Sequence, residues 1–324
     1  MELETIIKIV QGAVGMFLNT LAWLVILRTK SLHNVTNYLL AYLAVVDCIF
    51  CCHLVWINVA AETYLPESLI GREIYCRMVR SGFIFVCTLY SSSYALCLVT
   101  YERYIGIVHP LHYPRMMSPK KVIMIIFVAL GMSILFPSPR FFTWNFSNDT
   151  NSVNGCKRIY SSNKTLEDVL NLLFAYLLPI LFMSWAYYKI QATLKKRAQE
   201  FQLHNVQGAA LRLLQARQNV ISMLKIVMGA LVVLWTPASL YVAICLPDAM
   251  QEWCYIHYSV TLNFAFEIMY KMNSVINPII YIFKHKKFRK GLQDMLCSCI
   301  GRPLRPDQIV VQIAMNECDV LDEQ

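Results

Sequence analysis

Residues 76–107 read CRMVRSGFIFVCTLYSSSYALCLVTYERYIGI. Between Ser81 and Tyr101 no residue carries a charge. A helix of about 20 apolar residues crosses a hydrocarbon core of roughly 30 Å. This stretch is long enough to do so. It is bounded by Arg77 and Arg80 at one end and by Glu102-Arg103 at the other.

Six more runs of the same kind flank it, at 5–27, 37–60, 121–142, 166–193, 216–246 and 256–283. The 324-residue chain is 57% hydrophobic and only 15% charged, with a mean hydropathy of +0.47. A water-soluble surface needs more charge than that. The runs are too continuous for the alternating strands of a barrel. Open sheet is excluded because lipid leaves unpaired backbone groups without partners. The expected fold is an all-α membrane protein, a seven-transmembrane helix bundle with a short amphipathic eighth helix. Residues 1–296 form the bundle and 297–324 a cytoplasmic tail. The first run is too long for a cleavable signal peptide, and Glu2 and Glu4 precede it where basic residues would be expected.

Lys and Arg decide orientation. Arg28, Lys30, Arg115, Lys120, Lys121, Lys189, Lys195, Lys196, Arg197 and Lys284–Lys290 crowd one set of connections, whereas the opposite set mixes signs. This places the N-terminus outside and the C-terminus in the cytoplasm, in the plasma membrane. The net charge of +9 is then a topology signal, and no nucleic-acid partner is expected. Sequons at Asn145, Asn148 and Asn163 share one outer loop and are glycosylation candidates. Asn34 also begins a sequon but faces inward and is expected to stay unmodified. Cys76 and Cys156 lie at outer ends, where oxidation is permitted, and are expected to tie the third span to the second outer loop. Cys245 and Cys254 form a second candidate bridge. Cys297 and Cys299 follow a basic amphipathic stretch and are palmitoylation candidates. Phe288, Leu292 and Leu296, four apart among basic residues, read as a helix lying on membrane lipids.

Ionisable groups inside a span mark function. Four places qualify: Asp47; Glu102-Arg103-Tyr104; Asn273-Ser274 with Asn277-Pro278-Ile-Ile-Tyr281; and Glu267 with Lys271. With Asn19, Leu43-Ala44, Pro110-Leu111, Pro179, Tyr187, Trp235-Thr-Pro237 and Phe288-Arg289, these occur in an order that resembles the rhodopsin-like (class A) G-protein-coupled receptors over nearly the whole chain.

That resemblance implies a receptor that activates a heterotrimeric G protein. Its switch would comprise Glu102, Arg103, Tyr104, Leu111, Tyr187, Asn277, Pro278 and Tyr281. Arg103 would be released from Glu102 on activation, and Leu111 would be the apolar knob docking on the G protein. Asp47, Ser92, Asn273, Ser274 and Asn277 would hold a structural sodium ion through hard oxygen ligands. Trp235 and Pro237 would form the hinge. Arg80, Phe85, Trp235, Glu267 and Lys271 are the expected ligand-pocket residues.

The chain departs from the family in places. Cys76 lies 27 residues before Arg103, two more than the family's usual spacing. Either the third helix bulges near its outer end or the disulfide is displaced by half a turn. No tryptophan occupies the fourth span, and Leu231 stands where a phenylalanine is usual. No Asp lies in the outer half of the third span, which argues against a biogenic amine. A peptide is favoured over a small molecule. Lys271 lies six residues before Asn277, where opsins carry the lysine that binds retinal. It reads as an ion pair with Glu267, as a ligand contact, or as an opsin-like photoreceptor's Schiff-base site, retinal being a cofactor only in that last case. A transporter would show inverted repeats. An enzyme would show HExxH, GxSxG or paired intramembrane carboxylates. The sequence shows none of these. The tail has one hydroxyl residue after Phe283, Ser298, and the third inner loop has none, so phosphorylation-dependent arrestin recruitment should be weak.

Overall fold

A computed structural model of the chain describes residues 3–60, 66–147, 155–159, 164–204, 208–246 and 260–299. The first span is Leu3–Arg28, with Glu4 in its first turn and Arg28 in its last, each sign opposing the local helix dipole. The second is Val35–Val59. Asn34 starts it as a cap, its side chain accepting from the Asn37 amide at 3.1 Å. These two spans pack closely because Gly12 and Gly15 bring backbone to side chain. A Cβ at Gly12 would stand 2.7 Å from Val55, and one at Gly15 would collide with the Cys51 sulfur.

The third span is not one helix. Leu69–Tyr75 runs into a π turn at Cys76–Arg80. The chain then breaks at Ser81-Gly82 and resumes as Phe83–Val108. The Ser81 amide reaches back five residues to the Cys76 carbonyl at 3.0 Å. Gly82 takes φ +73°, a conformation that favours glycine. The Ser81 hydroxyl accepts the Phe83 amide at 3.0 Å and caps the resumed helix. The third helix therefore bulges between Cys76 and Phe83.

The fourth span is Pro119–Leu135, continued past Phe136-Pro137 by Ser138–Phe142. A short helix in the preceding connection, Pro110–Met116, lies at 75° to it. The fifth span joins Lys164–Leu170, a π turn Asn171–Leu177 and Leu178–Leu203. The sixth is Ala209–Cys245, with Pro237 inside it. The seventh is Val260–Lys271 and Asn273–Lys284, broken at Met272. Among the described residues five helices are long and apolar enough to cross a membrane, and a sixth is so if Pro110–Met116 and Pro119–Leu135 count as one bent span. Helices five and six run past their apolar segments to Leu203 and back to Ala209. Water permits helix as readily as lipid does, so hydropathy marks where membrane ends and not where helix ends.

The bundle is apolar at its surface and through most of its core, and the polar groups it carries at membrane depth face inward. Phe17, Phe127, Leu181 and Val233 are each more than 60% exposed, whereas Asn19, Asp47, Ser93 and Asn277 are essentially sealed. Lipid imposes that inversion, because an apolar solvent offers polar groups nothing. The eighth helix, Lys286–Cys299, buries Phe288 and exposes Lys286, Lys287, Arg289 and Lys290. It lies against the first span's exit, where a Cβ at Gly291 would meet Thr29. At the opposite end a hairpin pairs Trp144–Phe146 with Cys156–Arg158, Phe146 facing Cys156.

Candidate functional site

At the end bearing the third span's C-terminus, Glu102 is completely buried. Arg103 donates to both of its carboxylate oxygens, each at 2.5 Å. Tyr113 donates at 2.6 Å and Thr36 at 3.0 Å, and Arg103 also bonds the Thr36 hydroxyl. A buried carboxylate with four donors is a satisfied charge. Burial, then the nearby Glu102 charge, raise the Tyr113 phenol above the ordinary tyrosine value, so it remains a donor. Arg103 makes no ion pair to the sixth span among the described residues. Arg217 of that span instead stands within coulombic reach of Arg197 and Arg103. Arg197 donates to the Ile107 carbonyl at 2.9 Å. Leu111 is 92% exposed beside this charged end. Tyr104 packs against Trp185 with centroids 5.0 Å apart.

Mid-bundle, Ser274 and Asn277 donate to the two Asp47 oxygens, each at 3.0 Å. Asn19 donates to the Ser274 carbonyl at 2.8 Å, joining the first span to the seventh. Tyr187, nine-tenths buried, accepts from Thr100 at 3.1 Å. The side-chain carbonyls of Asn273 and Asn277 and the Tyr281 hydroxyl find no partner among the described residues, and the buried Ser92 hydroxyl lies beside the Asp47 carboxylate. Orphaned hard oxygens around one sealed carboxylate fit a small monovalent cation. Pro278, also buried, follows Asn277 in the same helix.

Toward the hairpin end the third, fifth, sixth and seventh spans enclose about 310 Å³. Phe85, Tyr90, Tyr176, Trp235 and Tyr270 form its aromatic wall, with Arg140 and Asp168 as its charged groups. The fifth span's irregular top shapes it. Tyr90 donates to Asn171 at 3.0 Å, and Ser93 donates to the Ala175 carbonyl at 2.8 Å. The carbonyls of π turns are left partly free for such bonds. Trp235 stacks with Tyr176, centroids 6.4 Å apart. Leu231 is fully buried one turn below it.

Of the expected pocket residues, Phe85 and Trp235 line this cavity, whereas Arg80, Glu267 and Lys271 do not. Arg80 sits in the π turn beyond the Gly82 break. Lys271 is only 5% exposed and is ion-paired with Glu267. Its ammonium lies 5.4 Å from the centre of the Phe85 ring, which stands at the cavity wall. Glu267 holds a second cation, Lys8 of the first span, at 2.8 Å through its other oxygen. Arg140, Asp168, Lys8, Thr36 and Tyr113 escaped the sequence reading. Lys8 carried the same signal as Lys271, a charge inside an apolar run. The others lie at span ends, where charge and hydroxyls are ordinary.

Cys76 and Cys156 are disulfide-bonded, their Cα atoms 5.4 Å apart. Beside them Glu73 accepts the Phe146 amide at 2.5 Å and Arg77 at 2.8 Å. Cys245 also carries a disulfide, and Cys254 lies outside the described residues. Asn145 is half-buried in the hairpin; Asn148 and Asn163 lie outside the described residues. Cys297 and Cys299 fall within the last turns of the eighth helix.

The sequence profile described as "7 transmembrane receptor (rhodopsin family)" matches residues 18–281. The Homo sapiens galanin receptor type 2 is 26% identical over 294 residues, covering 90% of this chain and 71% of that receptor. The Bombyx mori allatostatin-A receptor is 25% identical over 293 residues, 88% of this chain and 77% of its own. The Homo sapiens histamine H2 receptor is 25% identical over 289 residues, 86% and 75% respectively. With an ordered set of motifs, a seven-span bundle and a profile match over most of its length, this chain belongs to the rhodopsin family of seven-transmembrane receptors.

Proposed function

We propose that this receptor sits in the plasma membrane with its N-terminus outside, binds an extracellular peptide in the aromatic cavity, and activates a heterotrimeric G protein at the Arg103 end. The observation that carries the reading is the pairing of an aromatic cavity under a disulfide-tied hairpin with a neutralised arginine at the far end. Relatives named as receptors for galanin and allatostatin-A support a peptide. The H2 relative is named for an amine. Against an amine here, the third span carries no acid between Phe83 and Tyr101.

Ligand contact on the wall around Trp235 would shift the sixth span at Pro237, where the helix lacks a backbone hydrogen bond. Opening the far end would free Arg103 from Glu102 and uncover a cleft beside exposed Leu111 for the G protein. A sodium ion held by Asp47, Ser92, Asn273, Ser274 and Asn277 would supply positive charge that favours the closed bundle. Arrestin and membrane lipids complete the expected partners, the lipids beneath the eighth helix.

The test is a peptide library screened on cells expressing the receptor with a promiscuous G protein. A peptide response abolished by Arg103→Ala is expected. A response confined to amines would sink the peptide reading.

A further inference from the structure

Lys271 poses a problem that the signalling scheme does not solve. It is a buried ammonium whose partner, Glu267, is already neutralised by Lys8. Among the described residues two lysines share one carboxylate, so the cluster holds one more positive charge than negative. A single acid would have sufficed to balance a structural lysine. The surplus lies next to the cavity. The Phe85 ring, 5.4 Å from the Lys271 ammonium, forms part of the cavity wall on that side. That ring is held by Phe50 and Tyr270, with centroids 5.0 Å and 6.2 Å away. The cavity's own charges, Arg140 and Asp168, are one of each sign.

We propose that Lys271 is the anchor for a carboxylate on the ligand, and that Lys8 is the standing counter-ion that lets it leave Glu267. This rests on the receptor reading above and names the chemistry its cavity selects. A lysine stem is long and flexible, and its ammonium forms point-charge contacts from many positions. A turn of the Phe85 ring opens the way from the ion pair into the cavity. When Lys271 exchanges Glu267 for a ligand carboxylate, Glu267 keeps Lys8, and no buried charge is stranded. With Lys8 absent, the same exchange would strand Glu267. The first span thus contributes to ligand selection through a residue that does not line the cavity.

Three probes share one skeleton: 3-phenylpropanoate, 3-phenylpropanamide and 3-phenylpropylamine. Each is titrated against purified receptor in lipid nanodiscs, with thermal stabilisation giving an apparent Kd. The acid is expected to bind about tenfold more tightly than the amide, the scale of one charge-assisted hydrogen bond over a neutral one. Lys271→Gln should erase the difference. Lys8→Gln should shrink it while leaving amide binding unchanged, a result that does not require Lys271 to be replaced. Equal binding of acid and amide overturns the proposal. So does preference for the amine, which would put recognition on Asp168, and so does failure of all three to stabilise the receptor. Peptide-evoked signalling alongside equal acid and amide binding would sink the anchor alone and leave the receptor reading intact.

Discussion

Replacing Glu102 with glutamine keeps the side chain's shape and removes its charge. In the structure that carboxylate takes two 2.5 Å bonds from Arg103, one from Tyr113 and one from Thr36. Hydrogen bonds to a charged group contribute about 1.5–3 kcal/mol each, and neutral ones about 0.5–1.5 kcal/mol. Glutamine also turns an amide donor toward the guanidinium. Allowing for the partial exposure of Arg103, the resting state loses about 2–3 kcal/mol relative to one in which Arg103 is free. That is roughly 30- to 150-fold in the equilibrium. A receptor resting at about 1% active would move to between about a quarter and 60% active. Ligand-free signalling at matched surface expression measures this directly, with Glu102→Asp as the charge-retaining control. Basal output within about twofold of the parent, in a glutamine variant that reaches the surface normally, would refute the view that this ion pair holds the receptor off.

Four other perturbations follow from the packing and charge around the bundle. Arg217→Glu gives Arg103 a partner on the sixth span in place of a like charge; it should cut the raised basal output of Glu102→Gln several-fold, on the scale of about 1 kcal/mol, and an increase would count against it. Gly15→Val drives methyl groups into Cys51 and Val275 and should cost about 1–3 kcal/mol, seen as a lower Tm of the purified receptor. Gly131→Ala has open space around the new methyl and should leave Tm unchanged or slightly raised. His285 accepts the Phe288 amide at 3.0 Å; burial, then Lys287 and Arg103, lower its pKa to about 4. An unfolded histidine titrates near 6.5, so the unfolded chain binds the extra proton between the two values. Stability should therefore be complete above about pH 6.5 and fall as pH drops toward 4. His285→Asn should flatten that slope in a melting series.

The spans were legible because lipid imposes one requirement over some twenty consecutive residues, and a local window detects it. Asp47, Glu102 and the Asn273–Asn277 group were legible because a polar residue at membrane depth stands out against its neighbours. The partners of these groups were not. Thr36 is 66 residues from Glu102 in the chain, and Lys8 lies at the opposite end of the sequence from Glu267. Nothing local records such pairings. The cavity was half-read for a related reason. Phe85 and Trp235 lie on regular helix, whose periodicity carries a side chain's direction along the chain. Arg140 and Asp168 lie beside interruptions, the Pro137 break and the fifth span's π turn, where that periodicity is lost.

The break at Gly82 behaves as a slip joint in the third span. Below it the numbering is locked to Arg103, and above it to the disulfide at Cys76. The two phases differ by the inserted residues, and neither constrains the other. Any transfer of ligand contacts from relatives must therefore be made in two separate pieces. One counts back from Arg103 to Phe83, and the other counts forward from Cys76 to Ser81. A single continuous numbering would carry each contact residue of the upper piece onto the wrong side of the helix. For the same reason, residues could be gained or lost above the joint during divergence without turning the Glu102–Arg103 pair below it.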